Sequence, residues 1–427
     1  MVTARAVALI GFASLFLLAL ADYSVHPQLF DANVYKIIAE KFAAEGYGTF
    51  AEGRTIGYPI LLYPLTLLGA PLPLAATLLQ GLLYLIVSLW LAAEICRRDA
   101  LFGRSVLLGL LLNPLNVWAL NATLTEAPTL IIFIGLAALL LVAARSRHGI
   151  ALVILGTGIA AFSPEIRPAN AILFAAWCAG AIFLLVGLRE STWLTKSGAA
   201  LAAAAMAVIA SLPQICYNVV TFNSYSPFQI GGLWNRQLQW GIKYAKYGTS
   251  ADPASYGPLY YHNPLYDGAE LPDLTLWWYI ENPLQGLGTM VLHTFNGFSF
   301  DYHSIYIYDL TPPLPWLFPF IIWIVVVAGV VTLVACWRQI PIFTPAVLFV
   351  GLAAMGTIAQ NSLTAIENRF NLIPMTVIMV LAACGARRLV TLPRKTQAAL
   401  VFGTLASAVL LTLGTEAMKL TAPKIIP

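Results

Sequence analysis

Charge is what this sequence has least of. Of its 427 residues 10% are Asp, Glu, Lys or Arg, against about 25% in a soluble domain. Hydrophobic residues make up 59%, and mean hydropathy is +0.80. That balance excludes a water-soluble globular fold and points to an integral membrane protein. Cysteine is also scarce. The five cysteines stand at 96, 178, 216, 336 and 384. No two form a C-x-x-C pair, and most lie in apolar stretches, where cysteine acts as a small hydrophobe. No disulfide framework or redox motif is indicated. There is no G-x-x-x-x-G-K-[ST] phosphate loop, no G-x-S-x-G elbow and no H-E-x-x-H pair, which removes the usual ATP-driven, serine-hydrolase and zinc-protease chemistries. No inverted repeat marks a secondary transporter.

The few charges are segregated. None occurs between Arg5 and Asp22, Arg54 and Glu94, Arg104 and Glu126, Glu126 and Arg145, or Arg167 and Arg189. The same holds from Lys196 to Arg236, Asp309 to Arg338, Arg338 to Glu367, Arg369 to Arg387 and Lys395 to Glu416. About 20 apolar residues cross some 30 Å of hydrocarbon. The gaps therefore predict an all-α polytopic membrane protein with about eleven transmembrane helices. The uncharged run from Thr55 to Ala93 is too long for one span, and Pro59, Pro64, Pro71 and Pro73 break it. It reads as a short helix followed by a span from about Leu74 to Arg97. The stretch from Arg104 to Arg147 must hold two spans, the first interrupted at Asn113-Pro114. The span near 6–21 has a basic residue before it but no small-residue cleavage site after it, and reads as a retained helix.

Basic residues recur at alternate span ends: Arg5; Arg97, Arg98 and Arg104; Arg145 and Arg147; Arg189 and Lys196; Arg338; Arg387, Arg388, Arg394 and Lys395. The positive-inside rule makes these ends and the N-terminus cytoplasmic. The net charge of +4 is thus a topology signal and no argument for nucleic acid. The chain divides into an N-terminal transmembrane module at 1–220, a large outer loop or lid at 221–312, and C-terminal transmembrane helices at 313–427.

The opposite, outer side collects the polar groups. After the first span comes Phe30-Asp31-Ala32-Asn33-Val34-Tyr35, then Arg54-Thr55-Ile56-Gly57-Tyr58-Pro59. Residues 32–44 read as an amphipathic helix on the membrane, with Val34, Ile37, Ile38 and Phe42 on one side. Asp31 at its start is either an N-cap or a base facing a cavity. Arg54 is either a lipid-headgroup contact or a phosphate ligand, because a guanidinium binds phosphate through two parallel hydrogen bonds. Glu126, in Leu124-Thr125-Glu126-Ala127-Pro128, opens a span and either balances a helix dipole or serves chemistry. Glu165-Ile166-Arg167-Pro168 allows a local ion pair, and Glu367-Asn368-Arg369 repeats the pattern. Intramembrane charges are costly unless used, so their recurrence at outer span ends points to one polar cavity. The lid is rich in Trp and Tyr, which form interfacial belts or stack on sugars. His262, His293, Asp301, His303 and Asp309 lie in it without metal-ligand spacing.

The ordered set of Asp31 with Tyr35, Arg54 to Pro59, Thr125-Glu126, Arg167-Pro168 and Glu367-Asn368-Arg369 resembles the GT-C superfamily of membrane glycosyltransferases. The likeness is to the branch of protein O-mannosyltransferases and lipid A aminoarabinose transferases. It covers the first seven spans best and is architectural beyond them. Many relatives carry two adjacent acids in the first loop. Ala32 follows Asp31 here, so a second acidic function must come from elsewhere or be absent. The resemblance implies an inverting transferase in a bacterial inner membrane. It would move a sugar from a polyprenyl-phosphate donor to a hydroxyl on a glycan, lipid or protein at the outer face. Asp31 and Glu126 would be the catalytic acids, and Tyr35, Arg54, Tyr58, Arg167, Glu367 and Arg369 would bind substrate. The resemblance adds no cofactor beyond the lipid-linked donor, and a divalent metal stays open as an alternative that no residue spacing supports. A lipid-linked saccharide flippase is the competing class, and an O-antigen polymerase or ligase a third. A transporter would place its charges near the bilayer midplane, whereas these sit at span ends.

Overall fold

A chain this apolar satisfies its backbone internally, because hydrocarbon offers no replacement for a lost hydrogen bond. The computed structural model describes residues 2–25, 31–46, 54–69, 71–187, 192–230, 232–251, 258–266, 268, 275–300, 316–337 and 344–421. In chain order the elements are α1 (Val2–Val25), α2 (Asp31–Glu45), α3 (Gly57–Thr66), α4 (Leu72–Cys96), α5 (Ala100–Leu111), α6 (Pro114–Asn121), α7 (Glu126–Ala143), α8 (Gly149–Ile166), α9 (Ala171–Gly187) and α10 (Trp193–Phe222). They continue with α11 (Leu233–Lys243), β1 (Tyr244–Ala251), β2 (Pro258–His262), α12 (Leu276–Glu281), α13 (Pro283–Phe298), α14 (Leu317–Cys336), α15 (Pro345–Leu363), α16 (Leu372–Leu389) and α17 (Arg394–Thr421). Two 3-10 turns, Pro168–Asn170 and Asn368–Asn371, introduce α9 and α16.

Ten of these helices are long and apolar enough to cross a membrane, and the pair α5–α6, bent by 48°, makes an eleventh if counted as one span. The chain is therefore an all-α polytopic membrane protein. The break falls where Asn113-Pro114 predicts it. Proline has no N–H, so the Leu110 carbonyl loses its helical partner four residues on. The Tyr84 hydroxyl donates to that carbonyl at 2.7 Å instead. Asn116 donates to the same hydroxyl at 2.9 Å, and Thr376 of α16 donates to Asn116 at 3.0 Å. Asn113 caps the restart by accepting from the Leu115 N–H at 3.1 Å. The proline-broken run after Arg54 also resolves as predicted into short α3 and spanning α4.

Two details differ from the sequence reading. The buried face of α2 is Ala32, Tyr35, Ile38 and Ala39, while Ile37 is exposed. Its partner is α3: Tyr35 packs edge-on against Tyr58 at 5.3 Å, and Phe42 against Tyr63 at 4.8 Å. These aromatic pairs, not an even apolar stripe, set the rotation of α2. The 221–312 segment also contains a two-stranded antiparallel pair, with Tyr244 opposite His262 and Tyr247 opposite Tyr260. Tyrosine-rich segments suit a pleated surface.

The described part of the 221–312 segment is tied to the end of α15 and to the turn before α16. The Ala365 N–H donates to Gln237 at 2.7 Å. Lys246 donates to the Ser299 carbonyl at 2.6 Å, and Asn368 donates to the same carbonyl at 2.8 Å. His293 places its two ring nitrogens 2.9 and 3.1 Å from the carbonyls of Ser362 and Tyr244. Asp301, His303 and Asp309 lie outside the described residues. At the other end of the bundle, buried Glu94 pairs with Arg97 and Arg145 and fastens α4 to α7.

Candidate functional site

Asp31, Arg54, Glu126, Arg167, Glu367 and Arg369 are scattered over 339 positions of sequence, yet they meet at one end of the bundle as a chain of alternating charge. Asp31 begins α2, and its side chain is 21% exposed. One carboxylate oxygen takes Arg54, and the other takes Arg369 Nη2 at 3.1 Å. Arg369 is central. Its side chain is 6% exposed, and it also reaches Glu126 at 3.4 Å and Glu367 at 2.6 Å. Glu126 accepts from Arg167 Nη1 at 3.1 Å. The chain thus runs Arg54, Asp31, Arg369, Glu126, Arg167, with Glu367 as a branch.

Local geometry explains the meeting. Arg167 ends α8 in extended backbone, just before the Pro168–Asn170 turn, so its side chain leaves the helix axis. Arg369 lies within the Asn368–Asn371 turn. Arg54 is held two residues ahead of Ile56, whose N–H donates to Gln214 Oε1 at 3.1 Å. Thr55 donates to the Ile166 carbonyl at 3.0 Å. Close contact here requires Gly57: a Cβ at that position would lie 2.6 Å from the Glu165 carbonyl carbon. The Phe370 ring carries both neighbouring guanidiniums, Arg167 at 4.4 Å and Arg369 at 5.2 Å.

The tyrosines play a supporting part. Arg54 lies 5.8 Å from the centre of the Tyr35 ring. Burial pushes the Tyr35 hydroxyl up to about 12, which keeps it neutral. Tyr58 donates its hydroxyl to Gln80 at 2.9 Å. The local ion pair that Glu165-Ile166-Arg167 allows does not form. Arg167 goes to Glu126, and Glu165 accepts from the Gln214 N–H at 3.3 Å. Neighbours two apart across a helix end point in different directions, so sequence adjacency misleads here.

Electrostatics separates the acids. Burial works to raise the Asp31 carboxyl, but Arg369 and Arg54 outweigh it and hold it below the usual carboxylate range. Glu367 is fully enclosed, and burial pushes it up to about 7 against the pull of Arg369, with Glu126 and Asp31 adding to the rise. Its Oε1 makes no hydrogen bond. The arrangement can exchange an internal carboxylate for an external oxyanion at a guanidinium, and burial makes Glu367 the acid of the cluster that holds a proton most readily.

A cavity of about 30 Å³ adjoins the cluster, lined among others by Glu126, Thr129, Arg167, Asn170, Gln360 and Phe370. Gln360 and Gln214 are site residues that the sequence reading missed. An uncharged amide inside an apolar run carries no periodic or motif signal. Among the described residues no group of three or more His, Cys, Asp or Glu is arranged to hold a metal ion. No protein-family model, curated protein or solved structure matches the chain.

Proposed function

We propose that this protein is an inverting glycosyltransferase. It moves a sugar from a polyprenyl-phosphate donor to a hydroxyl acceptor on the outer face of a bacterial inner membrane, as the resemblance to the GT-C superfamily implies. One observation carries the reading: three guanidiniums and three carboxylates, drawn from separate segments, form a single linked cluster at one end of an apolar bundle. Such charges are expensive in a membrane protein and mark function by default.

On this reading the events run in order. Clamped between Arg54 and Arg369, Asp31 is a poor base. An arriving donor phosphate competes for the guanidiniums and loosens the clamp. Asp31 then accepts the proton of the acceptor hydroxyl as that oxygen attacks the anomeric carbon. The bond from carbon to the phosphate oxygen breaks on the opposite side, and its electron pair leaves with the phosphate, held by arginine. The product is inverted at the anomeric carbon. Base catalysis of this kind contributes about 10²–10⁴-fold, and charge stabilisation of the leaving phosphate adds to it.

The test is Asp31→Asn, assayed with polyprenyl-phosphate sugars in membrane vesicles. Asparagine keeps the size and a hydrogen-bonding oxygen but loses the basicity. Transfer should fall by roughly 10²-fold or more while the folded yield holds. Unchanged transfer by the folded variant removes Asp31 as the base.

A further inference from the structure

We propose that the cavity beside Arg167 is a phosphate-binding subsite that takes up a proton with its ligand, Arg167 and Gln360 donating to the phosphate and Glu367 receiving the proton. At about 30 Å³ the space suits roughly two water-sized groups. That fits two phosphoryl oxygens. Most polar groups around it are already satisfied within the protein. Asn170 donates to Thr129 at 2.8 Å, Asn361 to Asn371 at 2.8 Å, and Thr357 to the Ala353 carbonyl at 2.7 Å. Arg167 and Gln360 differ. Arg167 commits Nη1 to Glu126 and one face to Phe370, and its Nε and Nη2 bond no protein atom among the described residues. The Gln360 side chain likewise has no hydrogen bond among them. A guanidinium edge beside an amide, facing one small space, favours an oxyanion.

Charge balance adds the proton. Three arginines already offset three acids, and a further buried anion without compensation is unfavourable. Glu367 offers the compensation. Its Oε2 lies on Arg369 Nε at 2.6 Å, while its buried Oε1 is unpartnered and can accept a proton without breaking a bond. Asp31 of α2 and Glu126 of α7 press it toward the protonated form, and Arg369 opposes them. The lid elements packed on this turn bring Lys246, bonded to the Ser299 carbonyl, and His293, bonded to two carbonyls. Helix α15 brings no charge, and α16 carries its arginines, Arg387 and Arg388, in its last turn.

The subsite stands on this geometry, and only a lipid-linked ligand rests on the proposed transferase. The experiment is calorimetric titration of the full chain in nanodiscs with inorganic phosphate and, separately, with polyprenyl phosphate. Buffers of different ionisation enthalpy count the protons. The expected result is uptake approaching one proton at about pH 8, with affinity falling up to tenfold per pH unit above about 7. Gln360→Glu, which keeps the size and adds a repelling charge, should abolish binding of both ligands. Glu367→Gln should bind without proton uptake. Binding of inorganic phosphate alone supports the subsite and counts against the lipid-linked donor. Binding of polyprenyl phosphate that ignores Gln360→Glu overturns the subsite and leaves the donor reading intact. Binding without proton uptake, or no binding of either ligand, overturns the proposal.

Discussion

Glu367→Gln isolates a single buried charge. Burial pushes the parent carboxyl up to about 7 in the folded protein, against about 4.3 when the chain is unfolded. Because the folded value is the higher one, the folded state holds the proton more tightly. The associated stability is complete below about pH 4.3 and is lost as pH rises through about 7. Each pH unit across that window is worth about 1.4 kcal/mol, so the parent loses on the order of 3 kcal/mol between the two values. Glutamine mimics the protonated acid. It still accepts from Arg369 Nε, and it cannot ionise. Its amide N–H₂ inherits the place of Oε1, which has no partner, at an opposing cost of about 1–3 kcal/mol. That cost is independent of pH, so the shape of the curve is the clean readout. Melting of the detergent-solubilised protein, followed by tryptophan fluorescence from about pH 5 to 9, should show the parent falling toward neutrality and then levelling. The variant should be flatter, gaining on the parent as pH rises. Parallel curves would refute the argument that Glu367 is an enclosed, half-partnered carboxyl.

Other perturbations probe separate links. Alanine at Arg54, Arg167 or Arg369 removes charged hydrogen bonds worth about 1.5–3 kcal/mol each and should weaken polyprenyl-phosphate binding. Lysine should rescue only partly, and parental binding by all three alanine variants would make the cluster purely structural. Gly57→Ala forces a Cβ against the Glu165 backbone and should cost about 1–3 kcal/mol; an unshifted melting temperature would show that the α3–α8 contact yields easily. Tyr84→Phe removes the donor that replaces the missing Pro114 N–H, at about 1–3 kcal/mol, and equal stability would mean that the Asn113 N–H, 3.4 Å from the Leu110 carbonyl, satisfies it alone. Ser24→Cys and Ser250→Cys should both react with an impermeant maleimide on intact cells. Reaction at Ser24 alone would put the lid on the opposite side from Asp31.

Much of the architecture was legible because burying charge in lipid is costly. The gaps between charged residues mark the spans, and proline marks both the α3–α4 break and the α5–α6 bend. The grouping of Asp31, Arg54, Glu126, Arg167, Glu367 and Arg369 was legible as a tendency, since each stands at a span end and all were expected on one side. Who pairs with whom was not. Arg167 chooses Glu126 over Glu165 because the chain leaves the helix in extended backbone there, a tertiary outcome with no sequence signature. Gln80, Gln214 and Lys246 escaped notice for a related reason. Their importance lies in the carbonyl or amide they meet from distant segments, and nothing in their immediate neighbours records it. The β1–β2 pair was missed because its aromatic residues read equally well as an interfacial belt.

The alternation of sign along the cluster has a kinetic consequence. With Glu367 ionised, three positive and three negative groups packed within bonding distance cancel one another beyond a few ångströms, so the site then casts almost no field into solution. A charged partner would not be drawn in from afar. It would have to arrive by ordinary diffusion, in water or within the bilayer, and then compete with the carboxylates already seated on the arginines or take the open edge of Arg167. Capture would be slow and almost insensitive to salt, with selectivity exercised at the moment of displacement rather than during approach.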